Sequence, residues 1–198
     1  MIEPSFDKVF DTQRIYREVL DAMARPGKIN ALKSLTLVPP RDLNQASAAI
    51  ALTLLDSETS FYTTAAGSDI AEYLALNTGA GSCQVNCAEF IIACGDKRLP
   101  ELQEASCGTL LTPEQGATVI FQVDSLSAAG NGTMLTMTGP GIRDSAQLVI
   151  TGLQTENLQI LADLNREYPL GVDVIYADAA GNIACVPRSS TVRWEGEA

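Results

Sequence analysis

The chain has 198 residues, 46% of them hydrophobic and 19% charged, with a formal net charge of -11. That length and composition fit one soluble globular α/β domain spanning residues 1–198, and a net charge this negative argues against a general nucleic-acid binder, which must neutralise phosphates with Lys and Arg. There is no histidine, which excludes Ser-His-Asp and Cys-His nucleophilic systems and removes the commonest transition-metal ligand.

The acidic N-terminus, MIEPSFDKVFD, lacks the charged-then-apolar pattern of a secretion signal, and no run of eighteen apolar residues offers a membrane span. Both point to a cytoplasmic protein. After a lead-in from Phe6 to Phe10, Asp11 or Thr12 is placed to cap a first helix. Its apolar positions Ile15, Val19 and Met23, with Tyr16 and Leu20, are expected on one buried face, and Arg14–Glu18 and Arg17–Asp21 are in register for ion pairs. Arg25-Pro26-Gly27 stops that helix, and residues 28–38 have room for a strand.

Beyond Pro39-Pro40, residues 42–56 are apolar on most sides and rich in Ala, the pattern of a buried helix. Residues 61–63 read as a short strand, and Ser68 is placed to cap an amphipathic helix ended by Asn77-Thr-Gly79. The continuous apolar run 89–94 predicts a strand covered on both faces. Pro100 opens a short helix that Gly108 is placed to close, and residues 112–116 form a turn. Residues 117–123 and 133–138 are expected to pair as a hairpin across a loop ending in Asn131-Gly132. Gly139-Pro140-Gly141, with Arg143 two residues on, reads as a tight turn, and less readily as an anion-binding nest.

A last helix over 155–167 leads into YPLGVDVIYADAAGNIACVPRSSTVR, residues 168–193. Two β-rich runs flank Asp178-Ala-Ala-Gly181-Asn182, which predicts a second hairpin. Together these elements predict a mixed β-sheet flanked by helices, which this hairpin completes into one sheet.

Few residues stand out for chemistry. Asp173 interrupts an apolar strand, and Arg188 sits between Pro187 and Ser189-Ser190. Arg188 and Ser189 could hold an anion together, or Arg188 could simply pair with Asp173, and Asp173 is also a candidate base. Arg25, at a helix end, reads as a solvated charge favoured by the helix dipole, with a phosphate ligand at an interface as the alternative. The nine arginines outnumber the four lysines, and Lys8, Lys28, Lys33 and Lys97 lie in no setting that suits a Schiff base, so no cofactor is expected. The five cysteines form no C-x-x-C pair and read as reduced core thiols, although Cys83 and Cys87 have a ligand-like spacing with no second pair to complete a metal site. No metal is expected.

The ordered set RIYREVLDAMARPGKI, ALTLLDSET, GATVIFQVDSLS with LTMTGPGI, and YPLGVDVIYA with VPRSSTV spans nearly the whole chain. It resembles the PhnH family of the bacterial carbon–phosphorus lyase system for phosphonate use. That resemblance implies a fold like the pyridoxal-phosphate-dependent transferases with the cofactor site lost, and a homodimer in isolation. It implies partnership with subunits G, I and J, and a need alongside subunits G, I and L for making α-D-ribose 1-methylphosphonate 5-triphosphate from ATP and methylphosphonate. It carries no catalytic residue over, so Arg25, Asp173, Arg188 and Ser189 rest on the residue reading. A non-catalytic subunit should expose apolar surface that assembly covers. The alternatives are an independent enzyme, or a binding protein, acting on a small anionic phosphonate or nucleotide.

Overall fold

The computed structural model describes residues 6–64 and 68–195. Among the described residues four α-helices, α1 (Phe10–Ala24), α2 (Gln45–Leu54), α3 (Ser68–Thr78) and α4 (Thr155–Leu164), accompany eleven strands in two sheets. The larger sheet has the order β1 (Asn30–Ala31), β10 (Asn182–Val186), β9 (Asp173–Asp178), β5 (Thr118–Val123), β4 (Phe90–Cys94), β2 (Ser60–Thr63) and β3 (Gly81–Ser82). Its strands β9, β5, β4, β2 and β3 run parallel; at one edge β10 pairs antiparallel with β9, and β1 pairs antiparallel with β10. The smaller sheet is antiparallel, in the order β11 (Thr191–Trp194), β7 (Thr133–Thr138), β8 (Ala146–Thr151) and β6 (Ser125–Ser127).

The mixed α/β class is as expected, but the strands form two sheets where one was expected. The strand over 117–123 does not pair with the one over 133–138. β5 lies between β4 and β9, whereas β7 pairs with β8 and β11. The physical reason is burial. Val119, Ile120 and Phe121 are all fully buried, so β5 needs cover on both faces, while β7 buries only Leu135 and Met137 and presents one face to solvent.

Alternation along the central strands divides the core. Ile92, Ile120, Ile175 and Ile183 point toward α1, α2 and α3, whereas Ile91, Val119, Val174 and Tyr176 point toward the smaller sheet and α4. Three layers result. α2 is buried from Ala46 to Leu52, and its four alanines let it approach the sheet closely. It starts one turn later than residue 42: Asn44 is the cap, accepting from the Ser47 N–H at 2.7 Å and donating to the Ala177 carbonyl at 3.1 Å.

Other local expectations change. Neither Asp11 nor Thr12 caps α1; Asp7 takes the N–H groups of Val9 and Phe10, at 2.8 and 2.9 Å. Arg14 pairs with Asp11, and Asp21 takes Arg25 and Lys28, in place of the expected Arg14–Glu18 and Arg17–Asp21 pairs. The region 28–38 holds only the two-residue β1. Pro100 opens a 3-10 turn, Pro100–Glu104, that ends before Gly108, and α4 ends at Leu164 rather than 167. The proposed cap at Ser68 concerns a side chain outside the described residues. Among the described residues no helix is long and apolar enough to cross a membrane.

Candidate functional site

The hairpin β9–β10 forms as expected, and its open end brings three of the four candidate residues together. Asp173 starts β9, and the chain leaving β10 through Pro187 returns Arg188 and Ser189 beside it. One Asp173 oxygen accepts the Arg188 backbone N–H at 2.8 Å; the other accepts Nε at 3.1 Å and Nη2 at 2.6 Å. The guanidinium reaches further: Nη1 donates to the Pro113 carbonyl at 2.7 Å and Nη2 to the Gly116 carbonyl at 3.3 Å. Four of its five N–H groups are thereby directed to the protein.

The pair is largely sheltered, with side-chain exposures of 13% for Arg188 and 25% for Asp173. It ties together the start of β9, the end of β10 and the turn that enters β5. Gly116 is required there by close approach, because a Cβ at that position would collide with Arg188 Nη1 and the Gly171 carbonyl. An open cleft of about 430 Å³ lies beside the pair, walled by Pro113, Glu114, Thr118, Tyr168 and Ser189. Its chemistry is modest. The arginine is already neutralised by Asp173, and Glu114 adds a further carboxylate to the wall, so the cleft is a poor receptor for a doubly charged anion. Of the two readings, the geometry favours the Asp173–Arg188 pair as a structural clamp. Cys107 is also near Arg188; burial raises its thiol pKa, which the guanidinium partly offsets.

Arg25 is not part of this cleft. It ends α1, its side chain is 60% exposed, and it pairs with Asp21, which also takes Lys28 at 2.6 Å and the Asn30 side-chain amide at 2.9 Å. In the Gly139-Pro140-Gly141 turn, Gly141 packs against the Ala24 carbonyl and Pro26 and Gly139 against the Ser189 carbonyl, so both glycines serve close packing, and Arg143 is exposed. No group of three or more His, Cys, Asp or Glu suited to a metal occurs among the described residues. All four lysines are exposed.

Two polar residues that hold this region together were not singled out from sequence. Buried Asp178 accepts from the N–H groups of Leu126, Ala180 and Asn182 and from the Asn182 amide, at 2.9–3.1 Å, joining the β9–β10 turn to β6. Its signal was the Asx-turn pattern Asp-x-x-Gly-Asn. Asn165, just past α4, accepts from the Val172 N–H at 2.7 Å and donates to its carbonyl at 3.1 Å, fixing the approach to β9. Nothing in its sequence context marks that role.

A more prominent surface lies on α1. Val9, Phe10, Tyr16 and Leu20 are exposed at 69%, 71%, 51% and 55%. At 3.6 residues per turn Val9, Tyr16 and Leu20 fall within about 40° of one another, forming one stripe beside the buried stripe of Ile15, Val19 and Ala22. Tyr16 and Leu20, expected in the core, instead face outward.

Comparison with known proteins agrees over nearly the full length. Residues 4–193 match the family described as bacterial phosphonate metabolism protein (PhnH). The chain is 30% identical over 192 residues to α-D-ribose 1-methylphosphonate 5-triphosphate synthase subunit PhnH of Rhizobium meliloti (strain 1021), covering 96% of this chain and 94% of that protein. It is 31% identical over 187 residues to HtxG of Stutzerimonas stutzeri, a protein named as a C-P lyase subunit, covering 93% and 87% respectively. The chain belongs to the PhnH family.

Proposed function

We propose that this member of the PhnH family is a non-catalytic subunit of a carbon–phosphorus lyase assembly, acting in the formation of α-D-ribose 1-methylphosphonate 5-triphosphate from ATP and methylphosphonate. Two relatives, each covered over most of its length, carry names of that system. The structural observation that carries the reading is the exposed stripe of Val9, Tyr16 and Leu20. Burying one such side chain against a partner is worth about 1.5–3 kcal/mol, and isolated soluble proteins rarely align several on one helix face.

In this reading the partners are the assembly's subunits G, I and J, the chain without them is a homodimer, and the setting is the cytoplasm. The Asp173–Arg188 clamp then serves the shape of the subunit rather than turnover. Kinship with pyridoxal-phosphate-dependent transferases is part of the same proposal and is supported by the family resemblance alone. The reading is tested by co-expressing the tagged chain with subunits G and I, then assaying synthase activity with and without it. Stable assembly, with no turnover by the chain alone, supports it. Phosphonate or nucleotide conversion by the isolated chain would favour the independent enzyme and sink the subunit role.

A further inference from the structure

Cys83 and Cys87 are brought together by a turn at the edge of the larger sheet. β3, the outermost strand, is exposed at both of its residues, and Cys83 follows it, donating its N–H to the Phe61 carbonyl at 2.9 Å. Gln84 is extended, and the 3-10 turn Val85–Cys87 then returns Cys87 beside Cys83. Both thiols converge on one atom: the Gln84 carbonyl oxygen accepts from Cys83 Sγ at 3.3 Å and from Cys87 Sγ at 3.1 Å. Two sulfurs on one oxygen are near neighbours, and the Cys87 thiol acts directly on Cys83. After burial, it is the main cause that raises the Cys83 pKa to about 11. Cys87 is exposed and Cys83 half-buried, so one thiol is open to solvent and the other stands behind it. The remaining three thiols are engaged elsewhere: Cys94 with the Gln122 side chain, Cys107 with the Leu164 carbonyl and Cys185 with the Val19 carbonyl.

We infer that Cys83 and Cys87 form a reversible dithiol–disulfide site that reacts with low-molecular-weight disulfides. In the first step the Cys87 thiolate attacks one sulfur of the small disulfide; a mixed disulfide forms and one small thiolate leaves. In the second the Cys83 thiolate attacks the Cys87 sulfur; the intramolecular disulfide forms and the second small thiolate leaves. The two cysteine protons pass to the departing thiolates, so the protein is oxidised by two electrons and the small disulfide is reduced by two. Exposure sets the order, because an incoming disulfide meets Cys87 before Cys83. The first step also prepares the second. Once Cys87 is bonded to sulfur, its thiol no longer holds Cys83 protonated, while the Ser60 hydroxyl continues to favour the Cys83 thiolate. The local structure tolerates the change: the Gln84 carbonyl that gives up both thiols keeps the Cys87 backbone N–H at 3.1 Å. The closed ring ties the end of β3 to the turn that precedes β4. In a reducing compartment such a pair rests as two thiols and is oxidised transiently.

Peptide mass spectrometry reads the site directly. Cleavage after Glu72 and Glu89 yields one peptide, residues 73–89, that carries both cysteines and none of the other three. The folded full-length chain is equilibrated with an excess of oxidised glutathione over about 0.1 mM reduced glutathione, then quenched with acid and alkylated. A short connection gives the second thiol an effective concentration in the millimolar range, so the unalkylated peptide, two hydrogens lighter, should exceed the glutathione-bearing peptide at least about tenfold. Dithiothreitol should restore two alkylatable thiols. Cys83→Ser should instead trap glutathione on Cys87, and Cys87→Ser should leave Cys83 largely alkylatable, each with unchanged circular dichroism. Glutathione accumulating on Cys87 of the wild-type chain as far as in Cys83→Ser would overturn the inference. So would a folded wild-type chain that keeps both thiols alkylatable, or one in which Cys83 takes up glutathione ahead of Cys87.

Discussion

Asp173 holds Arg188 at both of its ends: one carboxylate oxygen takes the backbone N–H at 2.8 Å and the other takes the guanidinium at 2.6 and 3.1 Å. The side chain continues past the aspartate to the carbonyls of Pro113 and Gly116. A residue placed to receive a ligand would keep its donors free. Here four of the five guanidinium N–H groups close a loop onto a sheet, so we expect this pair to act on stability.

Replacing Asp173 with Asn leaves a sheltered guanidinium without its counter-charge. With both side chains partly exposed, we expect a loss of about 1–3 kcal/mol in chemical denaturation, below the cost of breaking a fully buried pair. Arg188→Lys should cost nearly as much, because an ammonium cannot reach Asp173 and two carbonyls at once. Synthase activity per folded complex should be unchanged in both. A selective activity loss at unchanged stability would restore these residues as a functional site.

Asp178 should be the more sensitive carboxylate. Its four accepted hydrogen bonds join the β9–β10 turn to β6, a strand of the other sheet, from a position 1% exposed. Asp178→Ala leaves three backbone N–H groups and the Asn182 amide without an acceptor. We expect at least about 3 kcal/mol of destabilisation by urea unfolding. A loss under 1 kcal/mol, the net worth of one ordinary hydrogen bond, would show that the sheets are held together elsewhere.

The cysteines should react in a fixed order. Cys87 is exposed, whereas Cys83 is half-buried, and its pKa is pushed up to about 11 by burial and by the neighbouring Cys87 thiol. Cys185 is fully buried and its pKa lies higher still. Since the thiolate is the reactive form, iodoacetamide near neutral pH should modify Cys87 before Cys83 and leave Cys185 intact in the folded chain. Raising the pH toward 11 should accelerate Cys83, because a raised pKa keeps it protonated until then. Peptide mass spectrometry reads the order; Cys185 reacting first would contradict the burial.

The sequence carried much of this fold, and its failures have physical causes. The Ala-rich run that became α2 and the Gly181 turn of the β9–β10 hairpin were both legible, because all-round burial and turn chemistry are local signals. The misplaced hairpin was also open to correction. Val119-Ile120-Phe121 is continuously apolar, as a central parallel strand is, while Leu135 and Met137 alternate with Thr136 and Thr138 as in a one-sided sheet. Adjacency in the chain favours the hairpin, but that difference in period separates the two strands. Asp173 and Arg188 were recognised as either partners or ligands; the Pro113 and Gly116 carbonyls that decide between these come from a distant turn. Tyr16 and Leu20 share the helical spacing of Ile15 and Val19, but a helical period marks apolar residues without saying whether the chain itself or another one covers them.

The most direct test of the subunit reading is a quantitative pull-down of the G and I subunits by the wild-type chain and by Tyr16→Glu/Leu20→Glu. Both side chains are more than half exposed, so the double variant should fold with unchanged thermal stability while its capture of partners falls at least tenfold, as expected when charges replace two apolar anchors. Undiminished capture would contradict the account, because the exposed stripe of α1 would then have no part in assembly.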